Sequence, residues 1–341
     1  MTATRRASEP KREPPRLLEP DPERLAGATA LGERAPVPAV VGSLAFGTAG
    51  WTDKTLLDSG RFYPKPSQSP EERLKFYAEH FHLVEVDATY YALLPPETSE
   101  RWADWTPASF VFDVKAHPVL TGHPIDVRRL PADLKAELEA TGQKARVYPD
   151  KLAPELSLEI ERRFREFLLP LERAGKLGCV LLQYPPWFTA TRGNARRIEQ
   201  VAERWQPLPL AVEFRHKSWL LPERRRRVFD LLREHGLVYV CVDEPEVEGG
   251  GVPPIVEVTN PRLAVVRFHG HNTAGWMKQG ATVHERFDYL YGPEELARWV
   301  GPLEDLRHRA ERTHAIFNNC VRNYAVLGAK GLAALLSGDN G

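Results

Sequence analysis

Glu213 and Arg215 stand two residues apart inside the otherwise apolar run LAVEFRHKSW, residues 210–219. A carboxylate can move a proton and a guanidinium can hold an oxyanion, so the pair could do acid/base chemistry on an anionic substrate. Residues two apart in a strand face the same way. A lone amphipathic strand with its charges in water would produce the same pattern, so the rest of the chain has to decide.

The pattern recurs. Glu85 and Asp87 share a parity in LVEVDATYY, as do Asp113, Lys115 and His117 in FVFDVKAHP. Gln183, Asp243, Arg267 with His269, and Asn318-Asn319 close four further runs. The opposite parity is apolar: Val84 and Val86, Phe112 and Val114, Val212 and Phe214, Val240 and Val242, Val266 and Phe268. Aromatic residues gather near the same ends: Trp51, Tyr90, Tyr91, Tyr184, Trp187, Trp219 and Trp276.

These runs are short and β-branched, and they begin near residues 44, 83, 110, 179, 210, 237, 263 and 314. Helical segments separate most of them. Ser69-Pro70-Glu71-Glu72 is a helix start, with a capping serine, proline at the first position and acids in the first turn. Pro222 opens a helix that closes on Gly236. Residues 154–174, 193–205, 293–310 and 321–336 carry helical patterns. Alternating strands and helices imply parallel pairing, and this number of units predicts a closed α/β barrel of the (β/α)8 TIM type. No Walker loop or GxGxxG follows the first run, as an open nucleotide-binding sheet would usually show. Residues 119–153, with Arg128 and Arg129, and residues 244–262 read as long loops, the second without a helix.

Helices covering a barrel demand an apolar outer face, so the polar parity must point inward and converge at the C-terminal mouth, where barrel enzymes build their sites. The expected site has Glu85, Glu213 and His269 as acid/base groups. Lys115, Gln183, Arg215, Asp243, Arg267, Asn318, Asn319, Trp51, Tyr91 and Trp219 are the expected binding groups. Mutual pairing of buried charges would account for part of the same ring. Glu85, Glu213, Asp243 and His269 could together hold a divalent metal ion, but short metal spacings are missing and the nearby cations favour an anion. No cofactor is expected.

The 341 residues carry 46 Lys+Arg and 46 Asp+Glu, a formal net charge of zero that disfavours a nucleic-acid partner. No apolar run approaches the roughly 20 residues of a membrane helix. Cys179, Cys241 and Cys320 are widely spaced, as in a reduced cytoplasmic protein. Residues 1–43, rich in Pro, Arg and Glu, read as a mobile tail, and 337–341 as a short C-terminal one.

The motifs GTAGW (47–51), VEVDATYYALLP (84–95), AVEFRHKSW (211–219), VRFHGHNTAGW (266–276) and FNNC (317–320) together resemble the DUF72, or YecE-like, family of TIM barrels. The resemblance covers about residues 44–336 and implies the fold, not a reaction. Asp87 stands where the family pattern has asparagine, so a role needing a neutral amide there does not carry over.

The leading expectation is an enzyme, a hydrolase or isomerase, acting on a small anionic sugar- or nucleotide-like substrate. The alternatives are a nucleic-acid-binding or metal-dependent nuclease-like barrel, using Arg128 and Arg129, and a non-catalytic ligand-binding barrel.

Overall fold

A computed structural model describes residues 19–64, 68–143, 145–247 and 251–338. Its centre is a closed parallel barrel of strands β1 (Leu44–Ala49), β2 (Leu83–Val86), β3 (Val111–Lys115), β4 (Leu177–Gln183), β5 (Leu210–Glu213), β6 (Val238–Asp243), β7 (Ala264–Phe268) and β8 (Thr313–Phe317). Closure comes from β8 pairing with β1, and β1 with β2. Around it lie helices α1 (Pro22–Glu33), α2 (Pro70–His80), α3 (Pro96–Asp104), α4 (Pro154–Arg173), α5 (Arg192–Trp205), α6 (Pro222–Glu234), α7 (Val300–Arg309) and α8 (Tyr324–Gly338).

Local chemistry starts these helices where the sequence says. Ser69 and Glu72 form a reciprocal capping box on α2. Gly236, at φ +65, turns the chain out of α6 into β6. The expected helix over 293–310 is divided at Trp299 into Pro293–Ala297 and α7. The described residues of 244–263 hold no helix, as the Gly-Pro composition of this stretch implies.

The outward parity of β2, β3, β5 and β7 is buried under the helices. Phe112 stacks on Trp102 of α3, and Phe268 on Phe317. Inside the barrel Asp113 is spent on His314, 2.9 Å away. Gly178 lies so close that a Cβ would sit 2.2 Å from the Asp113 carboxylate, which requires glycine there.

The tail assignment needs correction. Residues 1–18 lie outside the described residues, but 22–33 are helix α1, and Val40–Val41 pairs antiparallel with Leu44–Ala45. Asp21 caps α1 and Pro22 starts it. Ala28 and Leu31 are buried against α8, where Gly331 lets Leu31 approach. A composition reading missed this because only a few small apolar residues make the contact, and tertiary docking supplies the stability. At the other end, Ser337 and Gly338 belong to α8 and not to a tail. No helix among the described residues is long and apolar enough to cross a membrane.

Candidate functional site

Strands β2, β5 and β7 bring one carboxylate, a second carboxylate and a guanidinium into the barrel. Arg267 donates Nε and Nη2 to the two Glu85 oxygens, at 2.7 and 2.6 Å, and Nη1 to Glu213 Oε2. Glu213 Oε1 accepts from Gln183 at 2.6 Å, Arg215 at 3.1 Å and His269 at 3.2 Å. Arg215 also reaches Glu244 at 2.8 Å. Glu85, Glu213, Arg267 and His269 are all fully buried.

The electrostatics follow from this wiring. Burial alone would raise Glu213, but Arg267 above all, then His269 and Arg215, hold it well below the ordinary carboxylate range. With its acceptor positions filled, Glu213 is a fixed anion. Burial raises Glu85 against the pull of Arg267, and brings Glu244 up to about 7 against Arg215. Burial pushes His269 down to about 3, so it is neutral at pH 7. Its Nδ1 faces the Asn318 amide at 2.9 Å, which assigns the proton to Nε2 and makes His269 a donor to Glu213.

Above this charged floor opens a cleft. One chamber of about 560 Å³ is lined by Lys115, Arg215 and Arg286 with aromatic walls from Tyr90, Trp187 and Trp276. Lys115 pairs with Asp87 at 3.3 Å and lies over the Tyr90 ring. Burial alone would lower Lys115, but Asp87 keeps it raised and charged. Arg215 and Arg286 both lie over Trp276, at 4.6 and 5.9 Å from the ring centre. Burial, and then the like charge of Arg215, lower Arg286. Arg286 forms no ion pair among the described residues, and its Nε and the Trp276 Nε1 are buried donors without an acceptor. His123, pushed down to about 4 by burial, Lys115 and Arg215, adds no charge. A second chamber of about 410 Å³, holding Trp51 and Trp102, adjoins the first.

A family model described as "Protein of unknown function DUF72" matches residues 45–340. The chain belongs to the DUF72 family. It is 31% identical over 276 residues to the UPF0759 protein YunF of Bacillus subtilis (strain 168), spanning 80% of this chain and 87% of that relative. Its fold is similar to a DUF72 family protein from Enterococcus faecalis V583, with TM-score 0.71 and 26% identity over 86% of this chain and 95% of that one. It is also similar to a DUF72 family protein from Thermotoga maritima MSB8, with TM-score 0.67 and 30% identity over 86% and 99% of the two chains.

In this DUF72 barrel the expected site residues divide into three groups. Glu85, Glu213, Arg267 and His269 converge, but under the cleft and without lining it. Lys115, Gln183, Arg215, Asn318 and Tyr91 line the first chamber, and Trp51 the second. Asp243, Asn319 and Trp219 do not reach the cleft. The register pairs Arg267 with Val242 and Phe268 with Asp243, so Asp243 faces outward to Tyr291 at 2.6 Å and His271 at 3.0 Å. Apolar residues on both parities of β6, Val238, Val240 and Val242 on one and Tyr239 and Cys241 on the other, hid this, and Glu244 takes the inward place. Asn319 holds the Tyr289 carbonyl, and Trp219 completes a buried stack with Phe188 and Phe214.

The set weighed for a metal does not assemble. Asp243 is on the other face of the barrel wall, and Arg267 already occupies the cation's place between Glu85 and Glu213. Asp87 has a reason to be charged here, since it faces Lys115. Arg286 and Phe287 escaped the sequence reading because they come from the loop after β7, away from any strand end. Glu244 had a signal, its place beside Asp243, and His123 had none.

That loop is tied down at a distance. His284 Nε2 meets Asp53 Oδ2 at 2.9 Å, joining the short helix Val283–Phe287 to the loop after β1. The hydrogen bond to Asp53 raises His284, and Asp288 adds to this. Burial works upward on Asp53, but the His284 and Thr55 contacts bring it below its usual value. The histidine's contribution is complete below about 6.5 and is lost as pH rises through its raised folded value. The aspartate's contribution is present above about 3.9 and is lost as pH falls through its depressed one. Hydrogen-exchange protection of 283–287 is therefore expected to peak in weak acid and decline through neutrality. A His284→Gln chain should lose the alkaline decline; an unchanged profile in that variant would show that the pair does not hold the loop.

Proposed function

We propose that this chain is an enzyme that binds a small organic anion, of sugar- or nucleotide-like size, at the C-terminal mouth of the barrel. The observation that carries this reading is the pair of buried donors without acceptors, Arg286 Nε and Trp276 Nε1, beside Arg215. Buried donors seek acceptors, and a guanidinium pair seeks oxyanion oxygens. Lys115, Arg215 and Arg286 hold the anion. Asp87, half-exposed at the cleft with Lys115 beside it, is the group placed to exchange a proton with substrate. Glu85, Glu213, Arg267 and His269 act as positioning residues that fix Arg215 and the floor, a change from the acid/base roles expected of the first, second and fourth.

Calorimetric titration with inorganic phosphate and glucose 6-phosphate tests the reading. Arg286→Gln and Lys115→Met are each expected to weaken binding by about 10–100-fold, the range of a charge-assisted hydrogen bond of about 1.5–3 kcal/mol. Equal affinity in parent and Arg286→Gln chains would overturn the assignment.

The saturated carboxylates favour one second reading, ligand binding without turnover. Binding with no product formed across a panel of phosphate and carboxylate esters, and no loss beyond affinity in Asp87→Asn, would select it. The nucleic-acid alternative has less support, since Arg128 is engaged by Asp126 at 2.9 and 2.8 Å and Arg129 lies over Tyr91.

A further inference from the structure

The two chambers of the cleft differ in chemistry and share a wall. Asp87, Tyr91, Val283, Phe287 and Asn318 line both, so the chambers are continuous. The first contains all three cations of the mouth, Lys115, Arg215 and Arg286. The second contains Trp51 and Trp102, packed edge to face with ring centres 5.1 Å apart, together with Val86, Ala88 and Cys320. Its charged lining groups are already matched: Asp53 with His284, and Asp87 with Lys115. No unpaired cation lines it among the described residues. Beyond Thr52, Asn318 and those matched pairs, a hydrated sugar would leave its remaining hydroxyls facing indole and aliphatic carbons there, at a desolvation cost. A flat apolar group would instead gain area burial and aromatic contacts.

We infer that the ligand is an amphiphilic organic anion. Its phosphate or carboxylate head sits among Lys115, Arg215 and Arg286, and an aromatic or alicyclic arm enters the Trp51–Trp102 chamber past Asp87 and Asn318. This rests on the anion-binding reading above and adds the class of the arm. Each chamber is within the usual volume of a small-molecule site.

The test compares methylphosphonate, which offers the head alone, with 1-naphthylmethylphosphonate, which offers head and arm. Calorimetry should show the naphthyl compound binding at least tenfold tighter. Ala88 and Thr52 line only the second chamber and are exposed, so Ala88→Phe and Thr52→Trp can fill it without disturbing the core. Either one should remove the naphthyl advantage and leave methylphosphonate binding unchanged, while Arg286→Gln should weaken both compounds. Equal affinity for the two compounds, or a naphthyl advantage that survives both filling substitutions, would overturn the inference and leave the anion-binding reading standing. Failure of both compounds to bind would bring down that reading, and the inference with it.

Discussion

An Arg267→Met chain is expected to lose about 3–5 kcal/mol of folding stability, the cost of removing one partner from a buried ion pair. Arg267 is fully buried and serves both Glu85 and Glu213, which are equally buried. Methionine fills similar space but leaves Glu85 with neither of its donors and Glu213 without its strongest. The sequence alone suggests a milder outcome, a folded protein with weakened anion binding, because parity places Arg267 inward without showing what it meets there. Chemical denaturation measures the loss. The pH dependence adds a check on the cause. In the parent, Glu213 sits below its unfolded value, so its contribution is present above about 4.3 and is lost as pH falls through the folded value. In the variant, burial is opposed less on both carboxyls, by Arg215 and His269 alone at Glu213 and by Lys115 at Glu85, so folded values rise and acidification should narrow the gap between the two chains. Glu85→Gln in the Arg267→Met background should recover part of the loss. A variant as stable as the parent would mean that the network does not hold the barrel.

Removal of residues 1–34 is expected to cost about 3–6 kcal/mol. The estimate takes about 1.5–3 kcal/mol for a buried leucine and a similar amount for the α8 surface its loss exposes. Leu31 packs into α8 at Gly331, and Gly32 approaches Leu327. Arg24 bonds the Leu290 carbonyl at 2.5 Å and pairs with Glu295, so α1 also anchors the end of the loop after β7 that carries Trp276 and Arg286. Differential scanning calorimetry should show a lower Tm, and Leu31→Ala should account for about half of the fall. A truncated chain that melts with the parent would return these residues to the status of a dispensable tail.

Strand positions, the alternation with helices and the inward parity of β2, β5 and β7 were legible in the sequence. The reason is local: a period of two separates branched apolar residues from Glu85, Glu213, Arg215 and Arg267, and covering helices permit only one assignment of faces. The Ser69 capping box and the Gly236 stop were legible for the same reason, since their partners lie within one turn. β6 shows where that ends. Val238, Val240 and Val242 on one face and Tyr239 and Cys241 on the other are all apolar and give no period to read, and only pairing with β7 turned Asp243 outward and Glu244 inward.

Tertiary structure alone decided which inward polar groups are spent on one another and which remain for a ligand. A residue list cannot rank Arg267 against Arg286. Arg267 is enclosed between two carboxylates, while Arg286 arrives from a loop with its Nε unanswered beside Arg215. The docking of α1 was likewise beyond local signals, because Ala28, Leu31 and Gly32 gain stability only from a surface some 300 residues away in the chain, on α8. Charge pairing and helix docking depend on distances between segments that the chain brings together only by closing the barrel.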